Sequence, residues 1–214
     1  MFSRRLLLQL GAALPTLLTP RGAISRRAHR QDDLPPNFIH ICVDDMRFDD
    51  YKYMRNVKSC LQGPGVNFTK HFVPFALCAP SRVSMLTGLQ VHNHGVLKNR
   101  APDGGYAIYQ TLEDNALPVW LQQVGYYVGH VGKFINGYDE IAPDHIPPGY
   151  SDWRAMSCRF ELYRDFRLNE NGVQIDYNSG EYSTDVFVQK VQEFIATAPQ
   201  PYAMFFWPNA CHMP

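Results

Sequence analysis

The feature that most constrains the fold is a set of apolar runs that alternate with helical patterns. Runs rich in β-branched and aromatic residues occupy positions 37–43, 126–131 and 202–207. Near-continuous apolar runs of this length are typical of strands that are buried on both faces of a parallel sheet. Because helical patterns separate them, the sequence predicts an α/β layered sandwich with a mostly parallel central sheet.

Helical and irregular segments fill the intervals between these strands. The residue pattern predicts helices over 53–62 and 117–124, and a further helix after the cysteine at position 78 that closes at Gly88. It predicts a strand over 66–72, loops over 89–115 and 136–152, and a hairpin or irregular segment over 159–182.

The clearest helical pattern begins at Ser183, which is predicted as the N-cap residue. Apolar side chains then recur at the spacing of one helix face, and we expect that face to be buried. These side chains are Val186, Phe187, Val191, Phe194 and Ile195.

The amino-terminal residues have the pattern of an export signal. Residues 1–23 combine a basic start with an apolar stretch and carry no acidic residue, and 24–36 read as a polar linker. The pair Arg4-Arg5 is similar to a twin-arginine signal, while a general secretory signal fits the same residues. Either route predicts an exported protein, periplasmic or extracellular, without stable membrane insertion.

Charge and cysteine content bear on which partners the chain can bind and on whether it keeps a free thiol. The formal net charge is zero and Lys and Arg form no stripe, which argues against a nucleic-acid partner. The chain has an odd number of cysteines, so an exported chain that paired the others would keep one free thiol. We expect that one to be Cys78. The full set is Cys42, Cys60, Cys78, Cys158 and Cys211.

Polar residues follow the three predicted strands where each ends. Asp44-Asp45 follows the first, Lys133 the second and His212 the third. Each has an ordinary explanation as a turn former, a surface lysine or a packed histidine. The carboxyl ends of parallel strands meet at one edge of a sheet, so we expect these groups to lie together. Adjacent carboxylates suit a hard divalent cation, and two visible ligands do not separate Ca²⁺ from Mg²⁺.

The stretch ALCAPSRVSMLTG at 76–88 places a cysteine at a predicted helix start. Pro80 suits the first helical position, so Cys78 is expected just before the helix, where the dipole favours negative charge. Arg82 adds a cation on the first turn. This setting predicts a lowered thiol pKa or a place for an anionic ester. A buried free cysteine beside an ordinary cap is the alternative.

These residues resemble a known family. The segment 78–88 resembles the sulfatase signature C-x-P-S-R-x-x-x-L-T-G, and the resemblance runs from about residue 36 to the end. The variants HNHGV and GKFIN and the segment IPPGYSDW are closest to the arylsulfatase and N-acetylglucosamine-6-sulfatase branch. Other segments that carry the resemblance are PNFIHICVDDMR, TGLQVHNHGV, LPVWLQQVGYYVGHVGKFING, GEYSTDVFVQKVQEFI and PYAMFFWPNACHMP.

The resemblance implies an alkaline-phosphatase-like three-layer fold and hydrolysis of sulfate esters on small molecules or carbohydrates. It implies that a formylglycine-generating enzyme oxidises Cys78 to formylglycine, whose hydrate attacks sulfur through one hydroxyl and uses the other to expel sulfate. Arg82 would favour deprotonation of the diol.

The resemblance also implies roles for the polar strand ends. Asp44, Asp45 and the modified Cys78 would hold Ca²⁺, or Mg²⁺, and Lys133 would bind sulfate oxygens. His212 would contact the ester oxygen or the sulfate, where it could protonate the leaving group.

Two departures limit the resemblance. Many sulfatases carry His two residues after the lysine, but this chain has Ile135 there, and Asn136 is a substitute candidate or a turn residue before Gly137. His94, in the predicted loop, is a second candidate substrate contact.

The second departure is length. The family supplies a later Asp-Asn pair and a second lysine, so 37–214 is expected to be the amino-terminal part of the catalytic domain. A truncated chain of this kind would have an incomplete metal site, low stability and little activity alone.

Three alternative functions stay open on the sequence. A phosphoryl or phosphonate ester hydrolase of the same superfamily would share the metal site. A thiol enzyme would use Cys78 directly, with His71 or a loop histidine as base. An inactive remnant would keep the motifs without turnover.

Overall fold

The computed structural model describes residues 34–157 and 163–213, which belong to one compact unit, Leu34–Pro214. The predicted signal at 1–23 lies outside the described residues, as do most of the predicted linker at 24–36 and Cys158. The cysteines within the described ranges are free thiols, namely Cys42, Cys60, Cys78 and Cys211.

A six-stranded mixed sheet forms the centre, in the order β1-β6-β2-β3-β4-β5. The pairs β1–β6, β6–β2 and β2–β3 are parallel, and β4 and β5 extend the sheet as an antiparallel hairpin. The mostly parallel sheet predicted from the apolar runs is therefore confirmed. The strands are β1 (Phe38–Ile41), β2 (Tyr127–Gly132), β3 (Asp152–Met156), β4 (Phe166–Glu170), β5 (Val173–Tyr177) and β6 (Tyr202–Trp207).

Helices connect the strands and cover the sheet. Short 3₁₀ segments lie at Asp50–Tyr53 and Glu113–Asn115, and a π-helical turn lies at Lys58–Gln62. The α-helices are α1 (Arg55–Val57), α2 (Cys78–Thr87), α3 (Val91–His94), α4 (Tyr106–Tyr109), α5 (Leu117–Gln123), α6 (Tyr138–Ile141) and α7 (Ser183–Thr197).

Two hydrophobic cores, one on each face of the sheet, produce three layers. Strand β6 shows the division, because its alternate side chains point to opposite faces. Phe205 and Trp207 join the core that contains α2 and α5 residues, while Tyr202 and Met204 join the core with α7. Helices α2 and α5 thus cover one face of the sheet and α7 covers the other, which confirms the layered architecture.

Strand β1 differs from the prediction of a strand buried on both faces. It covers only Phe38–Ile41, and all its residues are exposed, with Phe38 and Ile41 at 50%. The physical reason is its position at the sheet edge. Within the described ranges β1 pairs only with β6, which leaves its other edge unpaired. Apolar composition predicted the strand and overstated its burial.

Helix α7 also departs from its predicted details. Ser183 is the first helical residue and Tyr182 occupies the N-cap position, so Ser183 does not cap the helix. Val186, Phe187, Val191 and Phe194 are buried as predicted. Ile195 is 40% exposed, because it follows Phe194 by one position and lies about 100° around the helix from it.

The remaining elements were predicted with mixed success. Residues 66–72 form no strand, since they are exposed and pair with no described strand. Helical structure at 55–62 agrees with the predicted helix, and 166–177 form the predicted hairpin. Short helices α3, α4 and α6 interrupt the predicted loops, and β3 was not predicted because its DWRAM sequence lacks an apolar run.

No helix in the described part of the chain has both the length and the apolar character needed to cross a membrane.

The packing of α7 yields a stability prediction. Phe187 is fully buried, so Phe187→Ala should lower the free energy of unfolding by about 3–5 kcal/mol through lost burial and a residual cavity. Ile195→Ala, on the exposed side of the same helix, should cost less than about 1 kcal/mol. Urea unfolding monitored by circular dichroism measures both, and equal losses would contradict the assignment of the buried face.

Candidate active site

The site is centred on Asp44, which follows β1 and is only 5% exposed. Lys133 approaches it from the end of β2, with 2.5 Å between Nζ and Oδ2. Arg82 approaches from α2, with 3.2 Å between Nη2 and Oδ1. Arg82 Nη1 also donates a hydrogen bond to the main-chain oxygen of Lys133 at 2.8 Å. The prediction that strand ends bring Asp44 and Lys133 together is therefore confirmed geometrically.

Two cations around one buried carboxylate set its protonation state. Burial acts to raise the pKa of Asp44, but the charges and hydrogen bonds of Arg82 and Lys133 outweigh it. The pKa of Asp44 is therefore held below its ordinary value, and the carboxylate is ionised at neutral pH.

Lys133 is placed by the turn that ends β2. Gly132 has φ of +112°, and a Cβ there would lie 2.2 Å from the main-chain oxygen of Trp207. Only glycine fits this close approach of the two strands. Lys133 N then donates to the same Trp207 oxygen at 2.8 Å, which fixes the start of the lysine side chain beside Asp44.

Arg82 is a fixed cation. Its side chain is 2% exposed, and its guanidinium lies 4.9 Å from the ring centroid of Trp207. The ring face supplies a cation–π contact, while Asp44 and the Lys133 carbonyl hold the polar groups. The buried guanidinium therefore places a positive charge against Asp44 from the fifth residue of α2.

Cys78 is the first residue of α2, with Leu77 at the N-cap and Pro80 third in the helix, two positions later than predicted. Its Sγ lies 3.7 Å from Lys133 Nζ and 4.0 Å from Asp45 Oδ1. Burial raises the pKa of the Cys78 thiol, and it exceeds the ordinary value despite Lys133. The expected lowering of this thiol pKa is therefore wrong, because burial together with two nearby carboxylates outweighs the cations.

His212 approaches from the segment after β6, with its Nε2 3.4 Å from Asp45 Oδ2. Tyr163, which precedes β4, donates a hydrogen bond to the main-chain oxygen of His212. Ligand atoms of Asp44, Cys78 and His212 lie within 4.8 Å of one another, which makes them a candidate metal-binding group.

The chemistry of this donor set tests which metal fits. A thiol and an imidazole favour softer metals, whereas the paired acids Asp44 and Asp45 favour a hard cation. Replacing the Cys78 sulfur by oxygen would leave the His212 imidazole as the one softer donor beside the acids. The paired acids and an oxygen at position 78 would fit a hard divalent cation.

The structure separates the two candidate substrate contacts. His94 is 4% exposed, its Nε2 lies 3.0 Å from Ser84 Oγ, and its Nδ1 accepts from Val96 N at 3.1 Å. Both ring nitrogens are engaged inside the fold, so the predicted substrate contact of His94 is wrong. Asn136 is half-buried, and its main-chain oxygen accepts a hydrogen bond from Tyr106 N. Its contact with substrate stays a prediction.

Two contacts at the site were not predicted from the sequence. Asn99 accepts a hydrogen bond from Ala79 N at 2.9 Å, and Tyr163 contacts the His212 main chain. Neither residue lies in a periodic pattern or in the signature, and both contacts join segments far apart in sequence. Local sequence signals could not have identified them.

A cavity of about 520 Å³ opens beside the cysteine. Both polar and apolar residues line it, as is usual for small-molecule sites of this size. The polar residues include Asp44, Asp45, Arg47, Cys78 and Arg82, and the apolar residues include Met46, Val73, Phe75, Leu77 and Met85.

The ion cluster yields a second stability prediction. In metal-free protein at pH 7, Asp44→Asn should lower the free energy of unfolding by about 3–5 kcal/mol, because it leaves the buried Arg82 without its counter-charge. Asp45→Asn, whose side chain is 58% exposed in the native protein, should cost less than about 1 kcal/mol. Chemical denaturation measures both.

The pH dependence has a definite sign. Because the folded-state pKa of Asp44 is depressed, its stabilisation is present above the ordinary value of 3.8 and is lost as the pH falls further. The difference between the native protein and Asp44→Asn should therefore narrow below about pH 4. A difference that does not change with pH would contradict the charge account.

Known proteins resemble this chain over the same residues. The Sulfatase family model matches residues 36–214. The arylsulfatase of Volvox carteri is 32% identical over 170 residues, covering 76% of this chain and 26% of that protein. The human N-acetylglucosamine-6-sulfatase is 30% identical over 194 residues, covering 84% of this chain and 35% of that protein. The chain thus spans about a quarter to a third of these relatives.

A solved structure supports the same relation. A protein bound to its substrate D-glucosamine-2-N,6-O-disulfate superposes with a TM-score of 0.62 at 25% identity, covering 84% of this chain and 36% of that one. The likeness confirms the predicted alkaline-phosphatase-like fold for the matched part. With the family match across most of the chain and the signature around Cys78, these comparisons show that this chain belongs to the sulfatase family.

Proposed function

We propose that the complete protein hydrolyses sulfate esters and that residue 78 carries the reacting group. The observation that carries this proposal is that Arg82 and Lys133 converge on Asp44 at the carboxyl edge of the parallel sheet, with Lys133 Nζ also 3.7 Å from Cys78 Sγ. A sulfate monoester is an anion, and these cations are buried or half-buried beside the residue that would react with it. Family membership supports the same chemistry.

Lys133 is proposed to bind the sulfate oxygens. Its Nζ lies 3.7 Å from Cys78 Sγ and is only 13% exposed at the side chain, so little water screens its charge. A cation at that place offsets negative charge that develops on sulfate oxygens as the ester bond breaks. Arg82 supplies a second positive charge at the other carboxylate oxygen of Asp44.

Asp44, Asp45 and the modified residue 78 are proposed to hold Ca²⁺ or Mg²⁺. Such a cation, when bound, supplies positive charge to the reacting centre. The depressed pKa of Asp44 supports this role, because a carboxylate must be ionised to serve as a ligand.

Cys78 is proposed to act after conversion to formylglycine, for which the protein would need a formylglycine-generating enzyme as partner. The hydrated aldehyde supplies a hydroxyl nucleophile. The raised thiol pKa counts against direct thiol attack, since a neutral thiol is a weak nucleophile. The alternative base His71 is exposed, and no described contact joins it to Cys78.

His212 is proposed to assist the leaving group. Its Nε2 lies 3.4 Å from Asp45 Oδ2, and its side chain is 30% exposed and accessible to substrate. A protonated imidazole can donate to the departing alcohol oxygen.

The substrate is proposed to be an aryl or carbohydrate sulfate ester. The lining of the cavity beside Cys78 includes charged residues that could hold the sulfate and apolar residues against which a ring could pack. A relative bound to glucosamine disulfate supports the carbohydrate class. Asn136 stays a candidate contact for this substrate.

The protein is proposed to act outside the cytoplasm, in the periplasm or the extracellular space. The basic and apolar pattern of residues 1–23 supports export.

Matched aryl esters test the proposed reaction in the complete enzyme. We expect kcat/KM for 4-nitrophenyl sulfate to exceed that for 4-nitrophenyl phosphate by about 100-fold or more, because two cations offset by two carboxylates compensate a monoanionic ester better than a dianionic one. Lys133→Ala should lower kcat for the sulfate by about 10²–10³-fold. Lys52→Ala should leave it unchanged, because Lys52 pairs with Asp49 at the surface.

A preference for the phosphate ester would favour the phosphoryl-hydrolase alternative. Absence of turnover on both esters would favour an inactive remnant. Equal effects of Lys133→Ala and Lys52→Ala would contradict the role given to Lys133.

A further inference from the structure

Helix α2 begins without a cap from its own N-cap residue. That residue is Leu77, whose apolar side chain cannot accept a hydrogen bond. The first intrahelical bond runs from Ser81 N to Leu77 O at 3.0 Å, and Pro80 has no N–H to satisfy. The amides of Cys78 and Ala79 are therefore the ones left without a helical acceptor.

A residue from another part of the chain takes the place of the missing cap. Asn99 Oδ1 accepts a hydrogen bond from Ala79 N at 2.9 Å across 20 positions of sequence. Ala79 is fully buried, so solvent has little access to its amide. Asn99 thus makes the contact to the second helical amide that an N-cap side chain normally makes.

Asn99 is itself held by a tight loop. Lys98 forms a bridge with Gly104, and Gly105 N donates to Lys98 O at 2.8 Å. Gly105 has φ of +63°, and a Cβ there would lie 2.4 Å from the main-chain oxygen of Asn99. Only glycine allows the loop to close this tightly around Asn99.

The same loop contacts the segment that carries the lysine of the site. Tyr106 N, directly after Gly105, donates to Asn136 O at 2.8 Å, three residues beyond Lys133. A Cβ on Gly105 would also lie 2.6 Å from that oxygen. The loop therefore connects the start of α2 with the chain that follows β2.

We propose that Asn99 is a positioning residue that holds residue 78 at its distance from Lys133 and Asp44. Without this acceptor, the buried Ala79 amide would lack a hydrogen bond, and the first turn of α2 would shift or loosen. A displacement of about 1 Å in a reacting group can lower the rate of the chemical step strongly, so loss of the Asn99 acceptor should lower kcat. This inference rests on the proposed function only where sulfate hydrolysis is the readout.

Kinetics of the complete enzyme provide the first test. Asn99→Ala should lower kcat for 4-nitrophenyl sulfate by about 10-fold or more while KM changes by less than about 3-fold. Asn99→Asp keeps an acceptor of the same shape and should restore kcat. It should raise KM, because the added negative charge repels the sulfate.

Asn171 offers a matched control. Its Oδ1 accepts from Trp153 N at 2.7 Å at the start of β3, and its φ of 54° is compatible with glycine. Asn171→Gly removes a comparable side-chain cap to a buried strand and should leave kcat unchanged. A kcat loss in Asn171→Gly equal to that in Asn99→Ala would show that general loosening is the cause and would overturn the proposal.

A second measurement needs no sulfatase activity. In protein that keeps the Cys78 thiol, iodoacetamide labelling of that cysteine, followed by peptide mass analysis, reports how well its turn is held. Asn99→Ala should label Cys78 about 5-fold faster, whereas Asn171→Gly should label at the native rate and Asn99→Asp no faster than that. Exposed Cys60 serves as an internal reference whose rate should not change.

Unchanged labelling of Cys78 in Asn99→Ala would overturn the proposal, whatever the enzyme does. Faster labelling in a protein that hydrolyses no sulfate ester would support the positioning role and count against the proposed function alone. Faster labelling with an unchanged kcat would make Asn99 a structural cap without influence on the reaction, and would also overturn the proposal.

Discussion

The buried carboxylate of Asp44 is the group on which the rest of the site depends. An ionised carboxylate that is 5% exposed requires compensation, and Arg82 and Lys133 provide it from two different elements. Each cation is fixed in turn, Arg82 against Trp207 and Lys133 by the close crossing at Gly132. The sheet edge, helix α2 and the end of β2 are thus joined through one charge cluster.

The same cluster accounts for the state of the cysteine beside it. Burial and the two acids raise the pKa of Cys78 more than the cations lower it. A neutral thiol is a weak nucleophile, so this electrostatic balance counts against direct attack by Cys78. Membership of the sulfatase family supports the proposal that residue 78 is modified instead.

The sequence predicted the structure correctly where the physical signal lies in a short stretch of residues. Apolar runs predicted β2 and β6, helical spacing predicted most of the buried face of α7, and strand ends predicted that Asp44 and Lys133 would meet. The signature led to the family, which the comparisons confirmed. These successes depend on periodicity and on the shared edge of a parallel sheet, both of which can be read without coordinates.

Tertiary context decided the rest. Strand β1 has the composition of a central strand and the exposure of an edge strand, because burial depends on neighbours rather than on its own residues. His94 is engaged inside the fold by Ser84 and Val96, which loop position could not indicate. The contact from Asn99 to Ala79 spans 20 positions and leaves no local signal.

The central claim is that Cys78 is the precursor of the reactive group rather than the group itself. Mass spectrometry of the peptide that contains residue 78, from protein made in its native host, tests this most directly. We predict a peptide whose mass corresponds to an aldehyde in place of the thiol and which reacts with a hydrazide reagent. A peptide that carries an intact, alkylatable thiol in catalytically active protein would contradict the account.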